Sequence, residues 1–138
     1  MKRVLLICTK NSARSQMAEG LINHDLGERV QAYSAGIEPS SVHPLAVKVM
    51  GEMGIDISRH RAKALDEFAD QKFDYVITLC SQANEACPIF FGGTKRLHMD
   101  FPNPAAVQGN EEEKISAFRQ VRDQIREELE KFLREESP

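Results

Sequence analysis

Val4-Leu5-Leu6-Ile7-Cys8-Thr9-Lys10-Asn11-Ser12-Ala13-Arg14-Ser15 is the stretch whose reading decides the fold. Four consecutive aliphatic residues bounded by polar ones read as a strand buried on both faces. Beyond Ser15 the apolar residues Met17, Ala18, Leu21 and Ile22 recur at helical spacing. The chain therefore passes from strand to helix through a short loop with a cysteine at one end and an arginine at the other. Such a loop can turn successive backbone N–H groups inward, the helix aims its positive dipole end at the same spot, and Arg14 can grip two oxygens of one ligand. Thr9, Lys10, Asn11, Ser12, Ala13 and Arg14 are thus expected to bind a tetrahedral oxyanion. Those electropositive surroundings favour the thiolate of Cys8, and Ser15 is near enough to hydrogen-bond its sulfur, which makes Cys8 a candidate nucleophile.

Working outward, short apolar runs alternate with helical patterns, the signature of crossover units and a parallel sheet. Strands are expected at residues 4–7, 30–35, 75–79 and 96–99. Helix one is expected to start at Ser15 and end near Gly27, a residue suited to a left-handed terminus. A second helix opens at Pro44 and stops at Gly54, and residues 64–68 read as a short helix. The last helix is the clearest: Ile115, Phe118, Val121, Ile125, Leu129, Phe132 and Leu133 line one face. The expected architecture is a three-layer α/β/α fold around a four-stranded parallel sheet, with residues 1–138 forming one domain.

Composition narrows the function classes. A net charge of −3 argues against a nucleic-acid partner, because phosphate-backbone binding calls for a basic surface. No long apolar run and no leader pattern are seen, so neither membrane insertion nor secretion is expected, and a cytoplasmic monomer is the default. Three cysteines in such a chain point to catalytic or redox thiols rather than a disulfide framework. His24, His43, His60 and His98 show no metal-pair spacing, so no metal is expected. In parallel sheets ligands collect beyond the carboxyl ends of the strands, where Cys8 and Cys80 both fall. If strands one and three are neighbours, these thiols share a rim. Cys87 follows seven residues later; as a continuous helix that spacing rises about 10 Å, too far for a disulfide, so any bond to Cys80 requires the segment to unwind. Met50 and Met53 read as core fillers, and Phe90-Phe91 as packing under that segment.

These residues resemble the thioredoxin-coupled arsenate reductases built on the low-molecular-weight protein tyrosine phosphatase fold. The resemblance is carried by the Cys8 to Arg14 loop with Ser15, by Gln16-Met17-Ala18-Glu19-Gly20, Ser34-Ala35-Gly36, His43-Pro44 and Thr78-Leu79-Cys80, and by the Cys80/Cys87 spacing. It implies a relay in which Cys8 attacks arsenate, Cys80 attacks Cys8 as arsenite departs, and Cys87 resolves the Cys8/Cys80 disulfide. Thioredoxin then reduces Cys80/Cys87, and no other cofactor is implied.

Two departures from the family pattern stand out. The usual acid before a proline in the loop after strand four is here Asn103 before Pro104, which leaves Asp100 as a substitute proton donor or either residue as a loop-positioning group. A potassium site of some relatives is matched by Asn11, Glu19 and Ser34, but its acid falls near Lys63, whose charge opposes a cation; Asn11 is expected instead to brace the loop. Two rival readings remain. One is a phosphoester-hydrolysing phosphatase of this fold, whose aromatic wall is replaced by Ala105-Ala106; the other is a non-catalytic oxyanion or redox sensor.

Overall fold

The structure is a computed structural model that describes residues 1–81, 83 and 95–136. Its strands are β1 (Lys2–Cys8), β2 (Val30–Gly36), β3 (Tyr75–Thr78) and β4 (Lys95–His98). They form one sheet in the order β2-β1-β3-β4, and every pairing is parallel. Val4, Leu5, Leu6 and Ile7 are fully buried, as a central parallel strand covered on both faces requires. The expected four-stranded parallel sheet is thus present, with β3 and β4 each ending one residue earlier than the sequence suggested.

Three helices, α1 (Arg14–Asp25), α2 (Pro44–Gly51) and α3 (Glu111–Glu136), pack on one another. Ser34 of β2 points toward them, since its hydroxyl donates to Glu19 of α1 at 2.9 Å. Side chains alternate along a strand, so the neighbouring Tyr33 faces the other way. There it meets Phe68, in the 3₁₀ turn Leu65–Phe68, and Phe73, at ring-centroid distances of 5.9 and 5.8 Å. The guanidinium of Arg3 lies over both Tyr33 and Phe73, closing this second layer. The sheet is therefore sandwiched, as expected for an α/β/α arrangement.

Two helix ends differ from expectation. Gly27 does not adopt a left-handed backbone; it is demanded by crowding, since a Cβ there would stand 2.3 Å from the carbonyl oxygen of Asn23. Helix α2 stops at Gly51 rather than continuing to Gly54, which instead reverses the chain with φ of 75°. Ile55 N–H then bonds back to Met50 O at 3.1 Å. Met50 is fully buried and Met53 packs against the core, as core fillers should. Phe90-Phe91 lies outside the described residues.

Helix α3 buries Phe118, Val121, Ile125, Leu129 and Leu133, the face read from the sequence, and adds one residue that hydropathy would not place there. Glu130 is completely buried: Oε1 accepts from Arg134 at 3.3 Å, and among the described residues no group donates to Oε2. Burial first, and then the adjacent carboxyl of Asp25 at the end of α1, push Glu130 up to about 8, against the pull of Arg134 and Arg126. Burial also acts to raise Asp25, but bonding to Glu130 and His24 and the charges of Arg126 and His24 hold it below its usual value. Because the native protein keeps a proton on Glu130 that the unfolded chain releases, stability should decline as pH rises from about 4.5 through about 8. Thermal melts across that window should show a steeper loss for wild type than for Glu130→Gln, which stays neutral throughout. Parallel profiles would contradict the buried proton.

Candidate functional site

The loop between β1 and α1 is shaped by what happens to its carbonyl groups. Cys8 O accepts from Ile37 N at 3.3 Å, Thr9 O from Glu38 N at 2.9 Å, Lys10 O from Ser40 N at 3.1 Å and Ser12 O from His43 N at 2.9 Å. The segment after β2 thus holds four loop carbonyls toward itself. In a planar trans peptide the following N–H points the opposite way, so the amides of Thr9, Lys10, Asn11 and Ala13 turn away from that segment. Helix α1 begins at Arg14 with Ala13 as its N-cap, and Ala13 offers no side chain to occupy the first-turn N–H groups. They remain available to an anion.

Asn11 keeps the loop in this shape. It is fully buried and is the one non-glycine residue with positive φ, 49°, among those described. Its Oδ1 accepts from Gln16 Nε2 at 2.9 Å and from the backbone N of Lys63 at 2.8 Å, while its Nδ2 donates to Ser15 Oγ at 2.7 Å. With that oxygen already accepting, the single proton of Ser15 is free to point at Cys8 Sγ, 2.8 Å away. Ser15 thus stands within hydrogen-bonding reach of the Cys8 sulfur, and the Asn11 side chain is bonded to Ser15, Gln16 and Lys63.

The cavity beyond the loop has a volume of about 440 Å³. Cys8, Thr9, Lys10, Ser12, Ala13 and Arg14 of the loop line it, together with Cys80, Asn103 and Ala105. Both Cys8 and Cys80 are buried free thiols. Cys80 follows β3, the direct neighbour of β1, and its Sγ lies 3.3 Å from Thr9 Oγ1. Arg14 Nη1 donates to Phe101 O at 3.1 Å, which ties the loop to the chain after β4. Cys87 lies outside the described residues.

The two proton-donor candidates separate clearly. Asn103 lines the cavity, and its Oδ1 caps the 3₁₀ turn Pro104–Ala106 by accepting from Ala105 N at 3.1 Å, which leaves its amide NH₂ as a neutral donor. Asp100 is exposed, stands 4.0 Å from His98 Nε2 and does not belong to the cavity lining. His43 caps α2 by accepting from Leu45 N; burial and the charge of Lys114 hold its pKa below the usual imidazole value, consistent with an acceptor nitrogen.

Sequence reasoning missed a buried polar tract behind the loop. Gln16 Nε2 also donates to Arg61 O, and its Oε1 faces His60 Nδ1 at 3.1 Å. The same His60 nitrogen is 3.2 Å from Glu19, whose other oxygen lies 3.6 Å from Lys63 Nζ. The available signal was the run of polar residues at positions 15, 16 and 19 beside the loop, all of which are buried on α1. A second signal was Gly36: a Cβ there would stand 2.8 Å from Asn11 N and 2.9 Å from Thr9 O, so only glycine lets β2 approach the loop. Gly36→Ala should cost about 1–3 kcal/mol and weaken binding of inorganic phosphate, read from melting curves with and without phosphate. Unchanged phosphate stabilisation would contradict this contact.

The family model for low molecular weight phosphotyrosine protein phosphatase matches residues 3–137. An arsenate reductase of Halalkalibacterium halodurans is 45% identical over 131 residues, covering 95% of this chain and 94% of that protein. Among solved structures, an arsenate reductase in the intermediate state superposes with a TM-score of 0.80 at 32% identity, covering 99% of this chain and 100% of that one. The thioredoxin-dependent arsenate reductase of Corynebacterium glutamicum gives 0.71 at 29% identity, over 95% of this chain and 61% of that one. The chain belongs to the low molecular weight phosphotyrosine protein phosphatase family.

Proposed function

We infer that this member of the low molecular weight phosphotyrosine protein phosphatase family is an enzyme that reduces arsenate to arsenite. The observation that carries the reading is that two free thiols, Cys8 and Cys80, border one cavity walled by an anion-binding loop. A phosphatase needs only the first. Relatives at 45% identity that are arsenate reductases support the same choice.

The chemistry follows from the residues. Loop amides and Arg14 hold the oxyanion while the Cys8 thiolate, hydrogen-bonded by Ser15, attacks arsenic and one arsenate oxygen leaves as water. Cys80 then attacks the sulfur of Cys8. The sulfur–arsenic bond breaks with its electron pair passing to arsenic, arsenite leaves, and two thiols have become one disulfide. In the proposed third step the Cys87 thiolate attacks Cys80, which frees Cys8 and leaves a Cys80/Cys87 disulfide for an external dithiol. Thioredoxin is the proposed dithiol, supported by the thioredoxin-dependent relative. One chain supplies all three thiols, so a monomer in the cytoplasm suffices; no helix among the described residues is long and apolar enough to cross a membrane.

Asn103 is proposed to position substrate rather than to act as an acid, with water and the arsenate hydroxyl carrying the proton. Neither an organic cofactor nor potassium is required in this scheme, since Lys63 already places an ammonium beside Glu19.

Arsenite formation measured with thioredoxin, thioredoxin reductase and NADPH tests the function: turnover should depend on all three and vanish in Cys8→Ser. Aryl phosphate hydrolysis without reductant as the dominant activity would establish the phosphatase instead, and oxyanion binding with neither activity the sensor. Asn103→Ala should retain kcat within about tenfold, whereas a general acid lost from that position would cost roughly 10²–10⁴.

A further inference from the structure

We propose that Lys10 is a second cationic ligand for the bound oxyanion and that Glu38 sets the affinity of the site by competing for it. This rests on reading the cavity as an oxyanion site. Lys10 sits in the middle of the anion loop and lines the cavity. Its Nζ is 3.0 Å from Glu38 Oε2, and both side chains are more than half exposed, at 54% and 63%.

The backbone that carries Glu38 is fastened to the loop. Glu38 N donates to Thr9 O and Ser40 N to Lys10 O, so the backbone of the segment carrying Glu38 runs alongside the loop whatever its side chain does. Among the described residues lining the cavity, Lys10 and Arg14 are the cationic ones, and Arg14 Nη1 is also engaged by Phe101 O. Among the described residues no carboxylate lines it. Glu38 thus neutralises one of two cations at the cavity from outside the lining.

An exposed ion pair is weakly held, because each partner is well solvated and free to move. An incoming dianion carries twice the charge of a carboxylate and is further gripped by the loop amides, so it draws the ammonium across with little opposition. The four-carbon stem of lysine makes that swing possible without moving the backbone. Glu38 is therefore a positioning residue: it acts on the substrate only through Lys10, and its removal should tighten the site.

The test is calorimetric binding of inorganic phosphate to the reduced protein at low salt, in wild type, Glu38→Gln, Lys10→Met and the double variant, alongside KM for arsenate. Glu38→Gln should tighten phosphate about two- to fivefold and lower KM by a similar factor, with the effect on KM rather than kcat. Lys10→Met should weaken phosphate binding, and in that background Glu38→Gln should have no further effect. Lys10→Arg should restore sensitivity to Glu38. Unchanged phosphate affinity in Glu38→Gln, or the same change in both Lys10 backgrounds, overturns the proposal. Because phosphate is not reduced, a protein that shows the expected phosphate pattern yet makes no arsenite supports the Lys10–Glu38 pair and contradicts the proposed activity instead.

Discussion

Parallel pairing of Ile7 with Thr78 is the constraint on which the site depends. One hydrogen bond further, Leu79 N donates to Ile7 O at 2.8 Å, so β1 and β3 run out together and release their next residues at the same sheet edge. Cys8 and Cys80, 72 positions apart in the chain, emerge there because the register allows nothing else. A slip of one residue would turn one of the two strands' side chains to the opposite face. Bonds at both ends of the pairing, Asp74 N to Arg3 O and Leu79 N to Ile7 O, each 2.8 Å, hold that register, so the pairing that builds the sheet also brings the two thiols to one edge.

The second requirement is a loop that presents amides rather than carbonyls. Here two groups of bonds cooperate. The segment after β2 takes four loop carbonyls, and Asn11 accepts a left-handed backbone because Gln16, Ser15 and Lys63 satisfy its amide. Gly36 lets these elements come together by having no side chain. The same Asn11 contact leaves the Ser15 proton for the Cys8 sulfur, so the bond that shapes the loop also prepares the nucleophile. Arg14 and Lys10 then supply charge, each restrained by a partner, Phe101 O for one and Glu38 for the other.

Much of this was legible in the sequence. All four strands fell within a residue or two of expectation; β1 and β3 were the plainest, because a parallel strand covered on both faces has no polar alternation to confuse it, whereas β4, Lys95–His98, is largely exposed. Cys8, Arg14, Ser15 and Asn11 could be placed by their position at a strand-to-helix turn. What could not be read was polar burial: a period-based reading assigns Gln16 and Glu19 to solvent, whereas residues 15–22 of α1 are all buried and those side chains face the loop and Ser34. Glu130 escaped for the same reason. Position in the chain alone could not separate Asp100 from Asn103; the structure places the first exposed near His98 and the second at the cavity. Gly27 shows a related limit, since sequence suggests a glycine's freedom of φ more readily than a close approach by a carbonyl.

The central claim is that the sulfurs of Cys8 and Cys80 become bonded to each other as arsenic is reduced. Its most direct test is a single turnover of Cys87→Ser with arsenate and no external reductant, followed by peptide mass spectrometry and arsenite quantification. The account predicts one arsenite per chain and an equal amount of a disulfide joining the peptides that contain Cys8 and Cys80. Arsenite released without that disulfide, or repeated turnover in this variant, would contradict it.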